Sequence, residues 1–353
     1  EESDEESAKL LSQVLPVVLE QNHYDTTYDE EAWEKIKHGT GVYGIFWNSD
    51  KDNGLGDIDI TNIDLLNIYW EPGIKDIQKS KHIFVIDLVD TKVLDEMYPE
   101  HEGEFKGNPI DAKEYIYNES IDTSDKVVVV DWYYKKRTDD GRTLLHYCKF
   151  CGKIVLYASE NDPNYQGRGY YDHGMYPFVF DVMYPEKGTP VGYGYVSICK
   201  NLQLYIDKLS GNILETSMMG SKKRYFVSAS TNVNEKDFLD WNKPIIPVQG
   251  EISDARIKEV SINPLDGIYV NVLQQKIDEM KETSSNRDVS NGGSTSTTAA
   301  SAIAALQEAG NKVSRDMIYS SYRAFKKVID MVIELMRQFY DEDRAFRVVM
   351  DND

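Results

Sequence analysis

Hydrophobic residues recur every three to four positions in five segments of the chain, which is the spacing of amphipathic helices. This pattern predicts helices over residues 1–22, 29–37, 196–216, 265–283 and 299–340. The first two begin with acidic residues and are predicted to dock on the surface of the protein. The helix over 196–216 has an apolar stripe at near-heptad spacing, formed by Ile198, Leu202, Ile206, Leu209 and Ile213.

The last predicted helix is unusual for its length. At about 1.5 Å per residue it extends ~60 Å if it is unbroken, and Gly310 is the expected position of a kink. A helix of this length needs neighbours along most of its surface, and a compact monomer supplies few. Lateral packing in an oligomer is the simpler support.

The pattern changes between residues 41 and 184 to short β-branched and aromatic runs separated by turn residues. Strands are predicted over residues 42–47, 65–70, 83–88, 127–134, 144–150 and 154–158. Residues 150–153 place a glycine between two of these runs and predict a hairpin, whereas residues 102–118 are weakly patterned and predict a loop. Together with the helices, these strands predict an α+β fold.

A small β module is predicted between two of the helices. Three short strand-like runs, at residues 224–229, 245–248 and 257–262, are interrupted by Pro244, Pro247 and Gly250. Downstream, residues 284–298 consist almost entirely of Ser, Thr, Asn and Gly, the composition of a flexible linker. The chain therefore alternates helix, β module, helix, polar loop and long helix.

The charge balance limits the partners that the chain can attract. Sixty acidic and 39 basic residues give a net charge of -21, so the whole molecule repels phosphate backbones and anionic membranes. Three cysteines do not form a disulfide framework, and no long apolar run is present in the sequence. We therefore expect the protein to reside in a reducing compartment and not to insert into a membrane.

Two short motifs have a structural and a functional interpretation. Residues 39–44 (GTGVYG) satisfy G-x-G-x-x-G, but the helix precedes the strand, the reverse of a dinucleotide-binding turn, so a helix end followed by a strand is predicted. Cys148 and Cys151 have the spacing of half a zinc site, which needs two more ligands at suitable spacing. A hairpin with a buried thiol is the preferred interpretation.

No enzyme motif is present. The acidic residues between Asp50 and Asp59 lack the glycine position and flanking helices of a calcium-binding EF-hand and are predicted to form an exposed turn. There is no G-x-S-x-G elbow, Walker lysine or convincing histidine base. A glycosidase carboxylate pair has no fixed spacing, so an acidic, tyrosine-rich hydrolase or carbohydrate-binding domain stays open as the alternative.

Three segments carry a family resemblance. Residues 172–178 (DHGMYPF), 188–194 (GTPVGYG) and 203–208 (QLYIDK) resemble the stretch that leads portal proteins of tailed bacteriophages from the wing into the first stem helix. Residues 277–286 (IDEMKETSSN) and 298–303 (TAASAI) are similar to the second stem helix, the tunnel loop and the start of the wing helix. The resemblance covers about residues 171–339.

Upstream, residues 41–47 (GVYGIFW) and 68–72 (IYWEP) are similar to the wing of portal proteins from phages and prophages of low-GC Gram-positive bacteria. The resemblance implies a portal fold with a β-rich wing, two stem helices around a clip, a tunnel loop and a long wing helix. The implied divisions are wing 1–195, first stem helix 196–221, clip 222–263, second stem helix 264–283, tunnel loop 284–298, and wing helix with the start of a crown region 299–353. No crown domain is recognisable after Tyr340.

The function implied by the resemblance is structural rather than enzymatic, with no cofactor or metal. Portal subunits form a homo-oligomeric ring, usually a dodecamer, at one capsid vertex of the virion, and double-stranded DNA is packaged and ejected through it. Terminase, capsid or scaffold proteins and head-completion proteins dock on the ring, which assembles in the cytoplasm of the host. An acidic wall suits a conduit, because strong phosphate binding would hold the DNA through released counterions.

The resemblance also implies which residues carry this function. The tunnel-loop residues expected to face DNA are Asn286, Arg287, Ser290 and Asn291. A further DNA contact is expected at Lys222, Lys223 and Arg224, and a clip surface for partners at Asp237, Asp240, Trp241 and Arg256. Without the resemblance, the basic triplet would be interpreted as a solvated helix end, and residues 284–298 as a flexible linker. Another head or tail structural protein is a further alternative for this chain, but such a protein would lack the β module between two helices.

Overall fold

The structure is a computed structural model that describes residues 2–105, 125–221, 225–227, 257–259, 267–284 and 300–341, with Lys236 and Arg344. The chain divides into two compact units. The first comprises Glu1–Ile198 and Thr298–Asp353, and the second comprises Cys199–Thr297.

The first unit contains two antiparallel sheets. Its strands are β1 (Thr40–Asn48), β2 (Asp57–Asn62), β3 (Ile68–Trp70), β4 (His82–Asp90), β5 (Lys126–Arg137), β6 (Thr143–Cys151), β7 (Ile154–Ala158) and β8 (Phe178–Val182), with a short ladder of β9 (Tyr184–Pro185) and β10 (Gly192–Tyr193). One sheet has the order β2-β1-β8 and the other the order β3-β4-β5-β6-β7. The second sheet is a meander, because each of its strands pairs with the next along the chain.

Helices pack on the three-stranded sheet. They are α1 (Glu2–Gln21), α2 (Tyr24–His38) and the last helix of the chain, α6 (Ala300–Phe339); a short α3 (Thr91–Met97) follows β4. The C-terminal part of α6 contributes Val328, Val332 and Leu335, all fully buried, to a core shared with Val42 and Ile45 of β1. Burying an aliphatic side chain of this kind contributes about 1.5–3 kcal/mol, so this core fixes the helix on the sheet.

The second unit contains helices and a short ladder. Helix α4 (Tyr195–Ser221) begins in the first unit and continues into the second, and α5 (Gly267–Thr283) follows later in the chain. Between them in sequence, β11 (Tyr225–Val227) and β12 (Ile257–Glu259) pair antiparallel, with Tyr225 opposite Glu259. Two of the predicted strand runs in this region are thus confirmed in part; residues 245–248 lie outside the described residues.

Most predicted elements are confirmed, with corrections at their boundaries. The predicted helix over 29–37 begins at Tyr24, because His23 adopts a left-handed conformation (φ 49°) that ends α1 and lets α2 start at once. As expected for a helix docked on the surface, α2 buries one face, formed by Thr27, Glu31 and Lys35, and exposes residues of the opposite face such as Trp33. Helix α6 continues through Gly310 as a single helix of 40 residues.

The predicted acidic turn between residues 50 and 59 is wrong in its second half. Strand β2 starts at Asp57, and its buried residues Ile58 and Ile60 alternate with partly exposed neighbours. The aspartates obscured this period-two pattern in the sequence. Residues 65–67 form a turn rather than a strand, and β8 and α3 were not predicted.

Two predicted turns are confirmed. Gly39 (φ 92°) ends α2 by donating its N–H to the carbonyl of Lys35, and β1 starts at Thr40, so residues 39–44 form a helix end followed by a strand. The hairpin at 150–153 joins β6 to β7, with Cys151 opposite Ile154 and Gly152 in the left-handed region. Glycine, which has no Cβ atom, adopts this conformation without steric cost.

Candidate functional site

The residues predicted to contact DNA or partners all lie outside the described residues. These are Asn286, Arg287, Ser290 and Asn291 in the tunnel loop, Lys222, Lys223 and Arg224 after the first stem helix, and Asp237, Asp240, Trp241 and Arg256 in the clip. The structure describes the helices that flank them. Helix α4 ends at Ser221 and α5 at Thr283, and α6 begins at Ala300.

The helices of the second unit expose an unusual amount of apolar surface. None of residues 199–218 of α4 and none of α5 is buried. The predicted stripe of α4, which includes Leu202, Ile206, Leu209 and Ile213, is only half-buried, while Leu214 is 62% exposed. Ile268, predicted for the apolar stripe of α5, is 58% exposed. Large apolar side chains of both helices are therefore exposed in the single subunit.

A buried ion pair holds α6 to the rest of the first unit. The Lys35 ammonium of α2 lies 2.7 Å from both carboxylate oxygens of Asp181 on β8 and donates to the Ser321 hydroxyl of α6 at 2.8 Å. Ser320 and Ser321 donate to the same carboxylate at 2.8 and 2.9 Å. The pair is almost fully buried, so three elements meet at one satisfied charged cluster.

A second carboxylate lies beside this pair. Glu31 of α2 is fully buried and accepts a hydrogen bond of 2.9 Å from the Tyr43 hydroxyl, while its Oε1 atom has no partner among the described residues. Burial, assisted by the nearby charge of Asp181, raises the pKa of Glu31 to about 8. The carboxyl group is therefore mostly protonated at neutral pH. Burial likewise raises the pKa of Tyr43, next to Glu31.

These two carboxylates do not form a hydrolytic site. Glu31 and Asp181 are 0% and 1% exposed, and the Lys35 ammonium neutralises the second. A glycosidase needs one carboxylic acid and one carboxylate that both reach the sugar. Their position in the core gives a substrate no access, so their role is to hold α2, β1 and β8 together.

A serine–histidine pair in the five-stranded sheet is also structural. His146 Nδ1 lies 3.2 Å from the Ser159 hydroxyl, the arrangement that activates a nucleophile in hydrolases. Both residues are buried, and the Ser159 oxygen already accepts the backbone N–H of Tyr147 at 2.9 Å. Burial lowers the pKa of His146, which keeps the imidazole neutral.

The cysteine pair does not gather metal ligands. Cys148 and Cys151 are three positions apart on β6, so their side chains point to opposite faces of the sheet, and burial raises the pKa of both thiols. Within the described part of the chain, no three His, Cys, Asp or Glu side chains are placed to share a metal ion. Across the same ranges, no helix combines the length and apolar character needed to cross a bilayer.

The end of α6 is anchored on the sheet by aromatic stacking. The rings of Trp47 and Phe339 are 4.7 Å apart and nearly parallel, and the Arg344 guanidinium lies 4.1 Å from the ring centre of Tyr340. Arg344 also donates to the carbonyls of Leu55 and Gly56 at 2.9 and 2.8 Å. The long helix is thus fixed at its C-terminal end by contacts to β1 and the turn before β2.

The fold thus combines two antiparallel sheets with packed helices in the first unit and exposed helices in the second. A family model described as phage P22-like portal protein matches residues 1–149 and 142–353. The chain therefore belongs to the P22-like phage portal protein family. A comparison with curated proteins gave no match.

Membership of this family confirms the function predicted from the sequence. The protein is a phage portal subunit, a structural and non-enzymatic component of the virion that serves DNA packaging at a capsid vertex. The family implies a ring of identical subunits that passes DNA and docks with the capsid and the terminase. Nothing supports the hydrolase alternative.

The contacts that hold α6 were not predicted from the sequence. Asp181 is a charged residue within the apolar run of β8, which is a recognisable signal of a buried ion pair. Its partner, Lys35, lies about 150 residues away and has no distinguishing neighbours in sequence.

Proposed function

We propose that this chain forms a dodecameric ring with the wing, stem, clip and tunnel-loop layout of portal proteins. The wing comprises residues 1–195 and 299–353, the latter range including the start of any crown region. The stem helices are 196–221 and 264–283, the clip is 222–263, and the tunnel loop is 284–298. The division of the chain at residues 198 and 298 supports this layout, because it groups the stem, clip and loop segments in one unit.

The observation that carries the proposal is the exposure of the stem helices. Leu204, Tyr205, Leu214 and Met218 of α4 are each about half exposed or more, in a helix whose residues 199–218 are never buried. Exposed helices of this length are unstable in water unless their apolar faces are covered. In a ring, each helix is covered by the same helices of the two neighbouring subunits.

DNA is proposed to pass along the axis of this ring. Asn286, Arg287, Ser290 and Asn291 would contact its backbone from the tunnel loop, and Lys222, Lys223 and Arg224 from the end of the first stem helix. One cation and three small polar groups per loop give weak contacts that exchange as DNA moves. The net charge of -21 supports this arrangement, because the wall as a whole does not bind phosphate tightly.

The clip is proposed as the docking surface for the terminase and then for head-completion proteins. Asp237, Asp240, Trp241 and Arg256 are the residues assigned to it. Capsid or scaffold proteins would contact the ring during assembly in the cytoplasm of the host. The similarity of residues 41–47 and 68–72 to the wing of related portals supports a low-GC Gram-positive host.

The first experiment is light scattering of the purified full chain, followed by negative-stain imaging. The expected result is a particle of about a dozen subunits with a central channel wide enough for duplex DNA. Rings with a different number of subunits would correct only the proposed subunit number and would leave the ring itself in place. A closed ring without an axial channel would contradict the proposed passage of DNA.

The DNA contact is tested separately on the assembled ring. We expect Arg287→Gln to weaken the binding of duplex DNA and to reduce its salt dependence, because each lost phosphate contact releases one fewer counterion. Lys153→Gln, at the exposed hairpin between β6 and β7, is the matched control. An unchanged salt dependence of DNA binding in Arg287→Gln would remove this residue from the proposed contact.

A further inference from the structure

Helix α6 turns a face to solvent that is both aromatic and cationic. Arg315, Tyr319, Tyr322, Arg323 and Lys326 are exposed on this face. The two tyrosines, 56% and 66% exposed, line a shallow hollow with Arg323, Lys326 and one acidic residue, Asp316. None of the three cations has an ion-pair partner among the described residues. We call these five residues the α6 ridge.

A second surface has the opposite character. A cleft of about 700 Å³ lies between the end of α1, α2 and α6 and adjoins the ridge, with which it shares Tyr322. Most of its wall is apolar, formed by Leu19, Tyr24, Tyr28, Ile36, Met317, Ile318 and Phe325. Glu20 and Asp25 line its rim, and Asp29 is exposed one turn further along α2. These three acids likewise have no ion-pair partner within the described ranges. We call this cleft and its rim the acidic groove.

We propose that the α6 ridge of one subunit docks against the acidic groove of its neighbour in the ring. The inference rests on the ring of the proposed function. Contacts in a ring are heterologous, so each subunit must offer two different surfaces that complement each other. The ridge supplies three cations and two tyrosines, while the groove supplies an apolar cleft and three acids.

The charge of the subunit makes such a pair of surfaces necessary. Identical chains with a net charge of -21 repel one another, so association needs local attraction where they touch. The ridge concentrates cations on one face of an otherwise acidic molecule. Placing it against the acidic rim converts repulsion into attraction at that contact.

The same observations favour a protein partner over DNA. Protein interfaces are enriched in tyrosine and arginine, and their centres are apolar clefts that exclude water. The wall of the groove has this apolar character, and its acidic rim repels phosphate. DNA would use the cations of the ridge but would leave the tyrosines and the adjoining groove uncovered.

The test reverses the charges of each surface and measures particle mass by light scattering. Arg323→Glu with Lys326→Glu changes the ridge, and Glu20→Lys with Asp25→Lys changes the groove. Each double variant alone places like charges at every contact, so we expect subunit association to weaken about 100-fold or more. An equal mixture of the two restores opposite charges at every contact and is expected to recover the wild-type mass.

The control is Lys153→Glu with Lys187→Glu, which makes the same change in net charge as the ridge variant, at exposed positions of the same unit. It is expected to assemble like the wild type, and all variants should melt within a few degrees of it. Variants that form rings of normal mass would overturn the ridge–groove contact and leave the portal assignment in place.

Three further results would also overturn the contact. They are a wild-type particle that is a two-fold dimer, a wild-type chain that stays monomeric at high concentration, and a mixture that does not recover. A loss of DNA binding in the ridge variant, with ring mass unchanged, would reassign the ridge to DNA.

Discussion

The Lys35 ammonium lies 2.7 Å from both carboxylate oxygens of Asp181, although the two residues are about 150 positions apart and almost fully buried. The pair connects α2 to β8, and Ser320 and Ser321 bring α6 to the same carboxylate. Each charge is therefore satisfied only while the other is present. Removing one leaves an uncompensated charge in the core.

We expect Lys35→Met and Asp181→Asn each to lower the free energy of unfolding by about 3–5 kcal/mol, measured by urea denaturation. The double variant Lys35→Met/Asp181→Leu should recover most of this loss, because it leaves no buried charge. Lys37→Met removes an exposed pair with Glu34 and is the control, with an expected loss below about 1 kcal/mol. Equal losses in Lys35→Met and the control would contradict this arrangement.

Glu31 makes the stability depend on pH in an unusual direction. Its folded pKa of about 8 lies above the unfolded value of 4.5, so folding takes up a proton between these values and stability falls as pH rises. Burial lowers the pKa of His173 to about 4, which opposes this trend below pH 6.5. The effect of Glu31 is thus clearest between pH 6.5 and 8.

Across that window we expect the wild type to lose about 2 kcal/mol of unfolding free energy. Glu31→Gln keeps a neutral side chain at all pH values and should have a flatter profile. The measurement is the urea midpoint at pH 6.5 and 8 for both proteins. Identical slopes would show that Glu31 does not titrate in this window.

Gly41 is required by the position of the same carboxyl group. A Cβ atom at this position would lie 2.1 Å from Glu31 Oε1, and Glu31 is held by the Tyr43 hydroxyl. We expect Gly41→Ala to lower the free energy of unfolding by about 1–3 kcal/mol through overpacking. Gly167→Ala, which meets no atom within 4 Å, is the neutral control in the same denaturation experiment. Similar stabilities of the two variants would refute the steric argument.

The exposed face of α4 predicts a variant that assembles poorly but folds well. Leu214 is 62% exposed, so Leu214→Lys should leave the melting temperature of the isolated subunit nearly unchanged. In the proposed ring a lysine there is placed in an apolar contact, and we expect the ring mass in light scattering to be lost. Gln166→Lys, exposed in the first unit, controls for the added charge. Normal rings in Leu214→Lys would show that this position is not covered.

Secondary-structure elements were predicted best where a single hydrophobic periodicity dominates the segment. The stripes of α4 and α6 follow helical spacing without interruption, and β7 was predicted with the residues that the structure gives it. Prediction failed where charge interrupted the period, as in β2, whose aspartates alternate with Ile58 and Ile60. The start of α2 was also predicted wrongly, because the left-handed His23 separates α1 from α2 by a break too short to recognise in the sequence.

The sequence by itself determined the order of elements, the α+β class and the family, because these depend on local periodicity and on short motifs. Only the tertiary structure decided which charges are buried. Lys35, Glu31 and Asp181 are ordinary surface residues by type, and their burial follows from β8 and α6 packing against α2. The physical reason is that an ionisable group enters the core either beside an opposite charge, as Lys35 and Asp181 do, or in its neutral form, as Glu31 does. Partners far apart in sequence meet only in the folded chain.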